Sequence, residues 1–266
     1  MNAEAAREES PGWYLYGVVA ADAAIDSGEV VLVKEGAVAG VVSPVSLAEF
    51  DPSVLAERLG DAAWLERQVR VHEQVLERVL ESTAVVPCRF CTVYRTEEEL
   101  RRFLWERGDD LTDALSRVAG RVELGVKAFI ARERFATGGA MRNDTIRELA
   151  EHASRVEGGR AYLEKRRLEQ LVTEELMRFK DEVAAQLHER LLAAADDGVQ
   201  LNLQRPEMTG RDEDMLFNGA YLVADRARFE RELGELAGRY RESGIEFELT
   251  GPWPPYNFVP AELGAS

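Results

Sequence analysis

MLFNGAYLVA, residues 215–224, decides how the second half of this chain is read. The segment is apolar on both faces, which suits a strand in the middle of a sheet rather than at its border. ARFERELGELAGRYRESG (227–244) follows it as an amphipathic helix closed by Gly244. IEFELT (245–250) is then a last strand with Ile245, Phe247 and Leu249 inward. Upstream, VELGVKAFI (122–130) alternates cleanly, placing Val122, Leu124, Val126, Ala128 and Ile130 on one face. A helix-rich region rich in Glu and Arg runs on to about Ala195, interrupted by the glycines of TGGAM and VEGGR, and VQLNLQ (199–204) alternates again. The order is strand, helix, strand, strand, helix, strand. That is the ferredoxin-like order, in which the first and third strands are central.

The first half also mixes strands and helices. WYLYGVVA (13–20) reads as a buried strand, and VVLVKEGAVAGVVSPV (30–45) as a hairpin turning at Lys34-Glu35-Gly36. DAAWLERQVRVHEQVLERVLE (61–81) is helical, with Leu65, Val69, His72, Leu76 and Val79 on one face. VVPCRFCTVY (85–94) is strand-like, and Thr96 with Glu99 forms a capping box that opens the next helix. A second helical stretch carries Leu111, Leu115 and Val118 and ends near Gly120. The expected fold class is therefore α+β in two domains. A loose tail covers 1–12, an α+β domain 13–121, and a ferredoxin-like domain with a Pro/aromatic tail 122–266.

The chain has 266 residues, 45% hydrophobic and 31% charged, enough to bury a sizeable core, and carries a formal net charge of −16. That charge excludes phosphate-driven binding to nucleic acid and disfavours an anionic membrane surface. No apolar run is long enough to span a membrane, and the N-terminus has no signal-peptide pattern, so the expected compartment is the cytoplasm.

No constellation specifies catalysis. Cys88 and Cys91 form a C-x-x-C inside an apolar, β-rich run rather than at a helix N-terminus, and they read as two buried thiols. His72, His152 and His188 are scattered without metal-ligand spacing. His72 reads as a core-edge histidine with its ring nitrogens hydrogen-bonded. There is no phosphate loop, and the carboxylates are spread over helix surfaces opposite arginines. The expectation is a binding or structural protein with no catalytic residue, cofactor or metal.

TGPWPPYNFV (250–259) concentrates stiffness and apolar area near the end of the chain. Pro252, Pro254 and Pro255 forbid helix and impose an extended, polyproline-like path. Trp253, Tyr256 and Phe258 would form an adhesive patch in water, so the segment must lie against its own domains or against a partner. The face of 215–224 that holds Phe217, Tyr221 and Val223 also needs a cover, from this chain or from another. These six side chains are the candidate interaction residues.

Several segments resemble the gas vesicle protein GvpF/GvpL family: YLYGVV (14–19), VVSPVSLAEF (41–50), AWLERQVRVHEQVLERVL (63–80), VVPCRFCTVY, VELGVKAF (122–129), GRAYLEKRR (159–167), FNGAYLV (217–223) and TGPWPPYNFV. They span almost the whole chain. In the family pattern Cys88 stands at a Leu-like position and Cys91 at a Gly-like one. The resemblance implies a two-domain fold and a non-enzymatic accessory role in building gas vesicles. It also implies contact with the hydrophobic shell protein GvpA and other gas vesicle accessory proteins, and association with the vesicle. The rival is a ligand-binding regulatory module on a ferredoxin-like scaffold.

Overall fold

The structure is a computed structural model, described here over residues 11–25, 28, 30–260 and 263. Most of the expected tail of 1–12 lies outside the described residues; Gly12 already belongs to a strand. The chain divides into two compact units, one of residues 1–122 with 252–266, the other of 123–251. The sequence reading assigned the Pro/aromatic tail to the C-terminal domain. The structure assigns it to the N-terminal unit, because its apolar side chains join that unit's core.

The N-terminal unit runs β1 (Gly12–Ala20), β2 (Val31–Glu35), β3 (Val38–Val45), α1 (Pro52–Arg58), α2 (Ala62–Leu80), β4 (Val86–Pro87), β5 (Val93–Tyr94), α3 (Glu97–Glu106) and α4 (Gly108–Val118). Its sheet has the order β2-β3-β1-β4, with β5 also paired to β1. The expected hairpin pairs Val31 with Val42 through Glu35 with Val38, turning at Gly36, whose φ of 57° suits a residue without a Cβ. β1 serves two cores. An irregularity between Leu15 and Gly17 shifts the register against β3, so Leu15 and Val18 share a face. They pack with Leu100, Leu104 and Leu111 of α3 and α4. Tyr14, Tyr16 and Val19 pack instead with Leu76 and Val79 of α2.

Asp61 caps α2 by accepting from the Ala63 and Trp64 amides. The buried stripe of α2 is Trp64, His72, Leu76 and Val79; Leu65 is half-buried and Val69 exposed, so the helix is turned slightly from the expected face. The strand expected at 85–94 is broken. Only β4 and β5 remain, and between them Thr92 N bonds back to Arg89 O at 3.2 Å. The cause lies at Cys91, whose φ is 66°; it is the one described residue other than glycine with a positive φ.

The C-terminal unit holds β6 (Val122–Ile130), α5 (Arg132–Thr137), α6 (Asp144–Ala153), α7 (Gly158–Leu192), β7 (Asp197–Gln200), α8 (Pro206–Thr209), β8 (Asp214–Val223), α9 (Arg226–Tyr240) and β9 (Ile245–Trp253). The sheet order is β7-β8-β6-β9, with β8 and β6 inside and β7 and β9 at the borders. β8 is buried along nearly its whole length, as its two-sided apolarity requires. The last strand runs on through Pro252 to Trp253 instead of stopping at Gly251. A proline is tolerated there because β9 is an edge strand. Both halves of the molecule are thus mixed helix-and-sheet structures built on antiparallel sheets.

Candidate functional site

The six candidate interaction residues fall into two separate places. Phe217, Tyr221 and Val223 are buried in the C-terminal unit. Tyr221 packs against Phe229 of α9 with ring centroids 5.2 Å apart, and its hydroxyl lies 3.1 Å from Nδ1 of His188 in α7. Burial pushes the phenol well above its ordinary pKa, so it stays neutral. The chain's own helices therefore cover this face. Phe217 also forms part of the floor of a groove of about 420 Å³ between α7 and residues 200–203, with Met177, Ala184, Leu203 and Met215 around it.

Trp253, at the end of β9, and Tyr256 and Phe258 fall in the stretch from Pro252 onward that belongs to the N-terminal unit, although the rest of β9 belongs to the C-terminal one. The extended path expected for the tail holds as β-strand to Trp253 and then gives way to turns. Tyr256 N bonds to Pro254 O at 2.8 Å and Phe258 N to Pro255 O at 3.1 Å, folding the segment into consecutive turns. Pro254, Pro255 and Phe258 are buried. Val259 and Leu263 enter the core that contains Leu15, Leu104 and Leu115. Trp253 remains 40% exposed and one edge of Tyr256 is open to solvent.

A line of polar groups ties this tail to β1 and α2. The Tyr14 hydroxyl accepts from the Cys91 amide at 3.0 Å and lies 2.9 Å from His72 Nδ1. His72 Nε2 lies 3.2 Å from the Tyr256 hydroxyl, which donates to Glu73 Oε1 at 3.1 Å. All four bonds are satisfied together when Tyr14 donates to Nδ1 and the neutral imidazole carries its proton on Nε2; the hydrogen-bond network assigns that tautomer. His72 is 1% exposed, and burial pushes its pKa down to about 4, with a hydrogen bond to the Cys88 backbone acting against it. Burial raises the Glu73 carboxyl, and the bond from Tyr256 opposes that rise. The Tyr14 and Tyr256 phenols are raised by burial as well, Tyr256 further by the neighbouring Glu73 charge. The groups aligned in this way act as a fastening: they satisfy the buried His72 ring from both sides and run on to the half-exposed Tyr256 and Glu73.

The reading of His72 as a hydrogen-bonded core histidine matches its place in this line. Its partners Tyr14 and Tyr256 were not visible as a set in the sequence, since 58 residues separate Tyr14 from His72 and 184 separate His72 from Tyr256. The one signal was the tail's excess of aromatic area, which demanded a cover without naming it. Of the two thiols, Cys88 is buried but Cys91 is only half so, against the expectation that both are buried. Burial raises Cys88 to about 12 and Cys91 to about 11, far from the range of a reactive thiolate.

Residues 12–260 match the family model described as gas vesicle synthesis protein GvpL/GvpF. Gas vesicle protein L of Streptomyces sp. (strain CB03234) is 34% identical over 228 residues, covering 86% of this chain and 82% of the relative. Gas vesicle protein L1 of Halobacterium salinarum is 26% identical, covering 96% and 92%. Among solved structures, the gas vesicle protein GvpF from Anabaena sp. PCC7120 superposes with a TM-score of 0.64 at 20% identity, covering 94% of this chain and 97% of that one. The range 12–260 matched by the family model spans Tyr14, His72, Cys91, β8 and Tyr256. This chain belongs to the GvpL/GvpF family of gas vesicle synthesis proteins.

Proposed function

We propose that this protein is a non-enzymatic accessory or minor structural component of gas vesicle assembly. It works in the cytoplasm and at the vesicle, and holds the hydrophobic shell protein GvpA for nucleation or growth of the shell. Family membership supports the pathway. The observation that carries the contact is the tail: a large indole stands partly in solvent on a segment whose neighbours Pro254, Pro255 and Phe258 are buried. An aromatic side chain on a rigid mount loses little entropy when a partner covers it. A small apolar shell subunit needs such a cover before it assembles.

The strand order β7-β8-β6-β9 supports a modified ferredoxin-like fold for the C-terminal unit. The long insertion of α5 to α7 between its first two strands is the modification. Phe217, Tyr221 and Val223 serve this role as the floor that keeps the unit rigid.

Co-purification with GvpA tests the contact. Trp253→Ser should lower capture about tenfold while circular dichroism stays native. Unchanged capture would remove the tail from the interface.

A second reading, ligand sensing, draws on the groove of about 420 Å³ beside Phe217. A metabolite-induced rise in melting temperature that Met215→Trp abolishes would favour it.

A further inference from the structure

The backbone ladder between β7 and β8 stops part-way along β8. Its register runs to Gln200 opposite Gly219, and Leu201 N still bonds to Asn218 O at 2.8 Å. Beyond that point side chains of β8 take over. Asn218 Nδ2 donates to Asn202 O at 2.9 Å, and Gln204 N donates to Met215 Sδ at 3.2 Å. The groove of about 420 Å³ lies between this stretch and α7. Its floor of Met215, Leu216 and Phe217 is apolar and buried. Its walls are apolar and open, with Met177 59% exposed and Leu203 55%. Asp181 and Gln200 stand exposed at the rim. Lys180 is the one cation among the described residues around it, and Asp214 holds its ammonium at 2.6 Å. Asn218, also part of the lining, is only 8% exposed. Its bond to Asn202 fixes which end of the amide is the oxygen. No donor among the described residues reaches that Oδ1, yet the atom is not sealed inside the protein.

We propose that this groove binds an uncharged, mainly aliphatic small molecule whose O–H or amide N–H donates to Oδ1 of Asn218. The volume lies in the range of small-molecule sites. Met177 and Met215 are unbranched and adapt to a flexible chain. Charge selects the head group. The cation is already spent on Asp214, and Asp181 stands at the rim of a chain of net charge −16, so a carboxylate or phosphate finds no counter-ion. A cationic head gains only the exposed Asp181, an attraction that water screens. What is left is a neutral polar group, and a mostly buried acceptor without a donor asks for one that donates. A site of that kind rejects the analogue that lacks the donor. The inference rests on the second reading above, that the groove takes a ligand, and names the ligand's class.

The full chain is titrated calorimetrically, and melted, with four probes below their solubility limits: decanol, its isomer nonyl methyl ether, decanoate and decylammonium. Decanol should bind saturably and raise the melting temperature. The ether, which keeps the apolar chain and loses the donor, should bind about tenfold more weakly. Decanoate and decylammonium should be weaker than decanol by about tenfold or more. Asn218→Leu should bind decanol and the ether alike. Because Asn218 is buried, Met177→Glu serves as the second variant: its position is exposed, so it keeps the wild-type melting temperature, and a carboxylate in the wall should weaken decanol about tenfold. Equal binding of the ether by the wild-type chain overturns the role of Asn218, and decanoate or decylammonium binding as tightly as decanol overturns the ligand class. Either result leaves the groove as a ligand site. Binding of none of the four, or decanol binding that Met177→Glu leaves unchanged, overturns the groove reading together with the proposal.

Discussion

Nε2 of His72, in the middle of α2, lies 3.2 Å from the hydroxyl of Tyr256, 184 residues further along the chain. That distance makes the C-terminal tail part of the N-terminal unit's polar interior. Removing the hydroxyl alone should reveal its contribution. Tyr256→Phe leaves His72 Nε2 and Glu73 Oε1 without the hydroxyl they share, and the expected loss is about 1–3 kcal/mol in urea unfolding. Tyr256→Ala should cost more, since the ring goes too. A change below about 0.5 kcal/mol in the Phe variant would show that water replaces the hydroxyl without penalty.

Acid should loosen the same fastening. The His72 pKa falls from 6.5 to about 4 on folding, so the unfolded state binds more protons between those values. The stability that neutral His72 provides is complete above pH 6.5 and declines as pH falls towards 4. The full span is worth about 3 kcal/mol at 1.36 kcal/mol per unit. Glu73 is raised, so it acts in the opposite sense at the acid end, gaining stability as it protonates. The difference between wild type and His72→Gln across pH 7 to 5 isolates the histidine. A wild-type slope no steeper than the variant's would contradict the buried neutral ring.

At Cys91 the backbone asks for glycine. Its φ of 66° places a Cβ where L-residues are strained, while its amide bond to the Tyr14 hydroxyl needs no side chain. Cys91→Gly should raise stability by about 0.5–1 kcal/mol, the relief of the left-handed strain less the extra freedom of an unfolded glycine. An unchanged or lower denaturation midpoint would show that the thiol's packing outweighs the strain.

The two thiols should differ in native protein treated with a thiol reagent at alkaline pH. Cys91, half-buried and raised to about 11, should react first; Cys88, fully buried and raised to about 12, should react only as the protein unfolds. Equal rapid modification of both would place Cys88 at the surface.

Tyr221 separates packing from recognition. Tyr221→Phe loses only the bond to His188 and should cost about 1 kcal/mol. Tyr221→Asp places a carboxylate between α7, α9 and β8 and should cost more than about 3 kcal/mol, enough to abolish cooperative unfolding of that unit. A native circular dichroism spectrum for the Asp variant would mean the helices do not seal that face.

Local chemistry made much of the fold readable in advance. The Gly36 hairpin, the Thr96–Glu99 cap and the inner position of β8 all depend on periodicity and turn residues within a few positions of one another. The same applies to Gly244, whose φ of 79° closes the helix before the last strand. The sequence by itself therefore determined which segments are strands and helices, that β8 is central, and that the tail must be covered. Only the tertiary structure decided what covers it. Tyr14, His72, Glu73 and Tyr256 are brought together by sheet order and by the path of the last strand. A buried polar group specifies that it needs a partner, but not which of the distant groups the folded backbone will put within 3.2 Å of it.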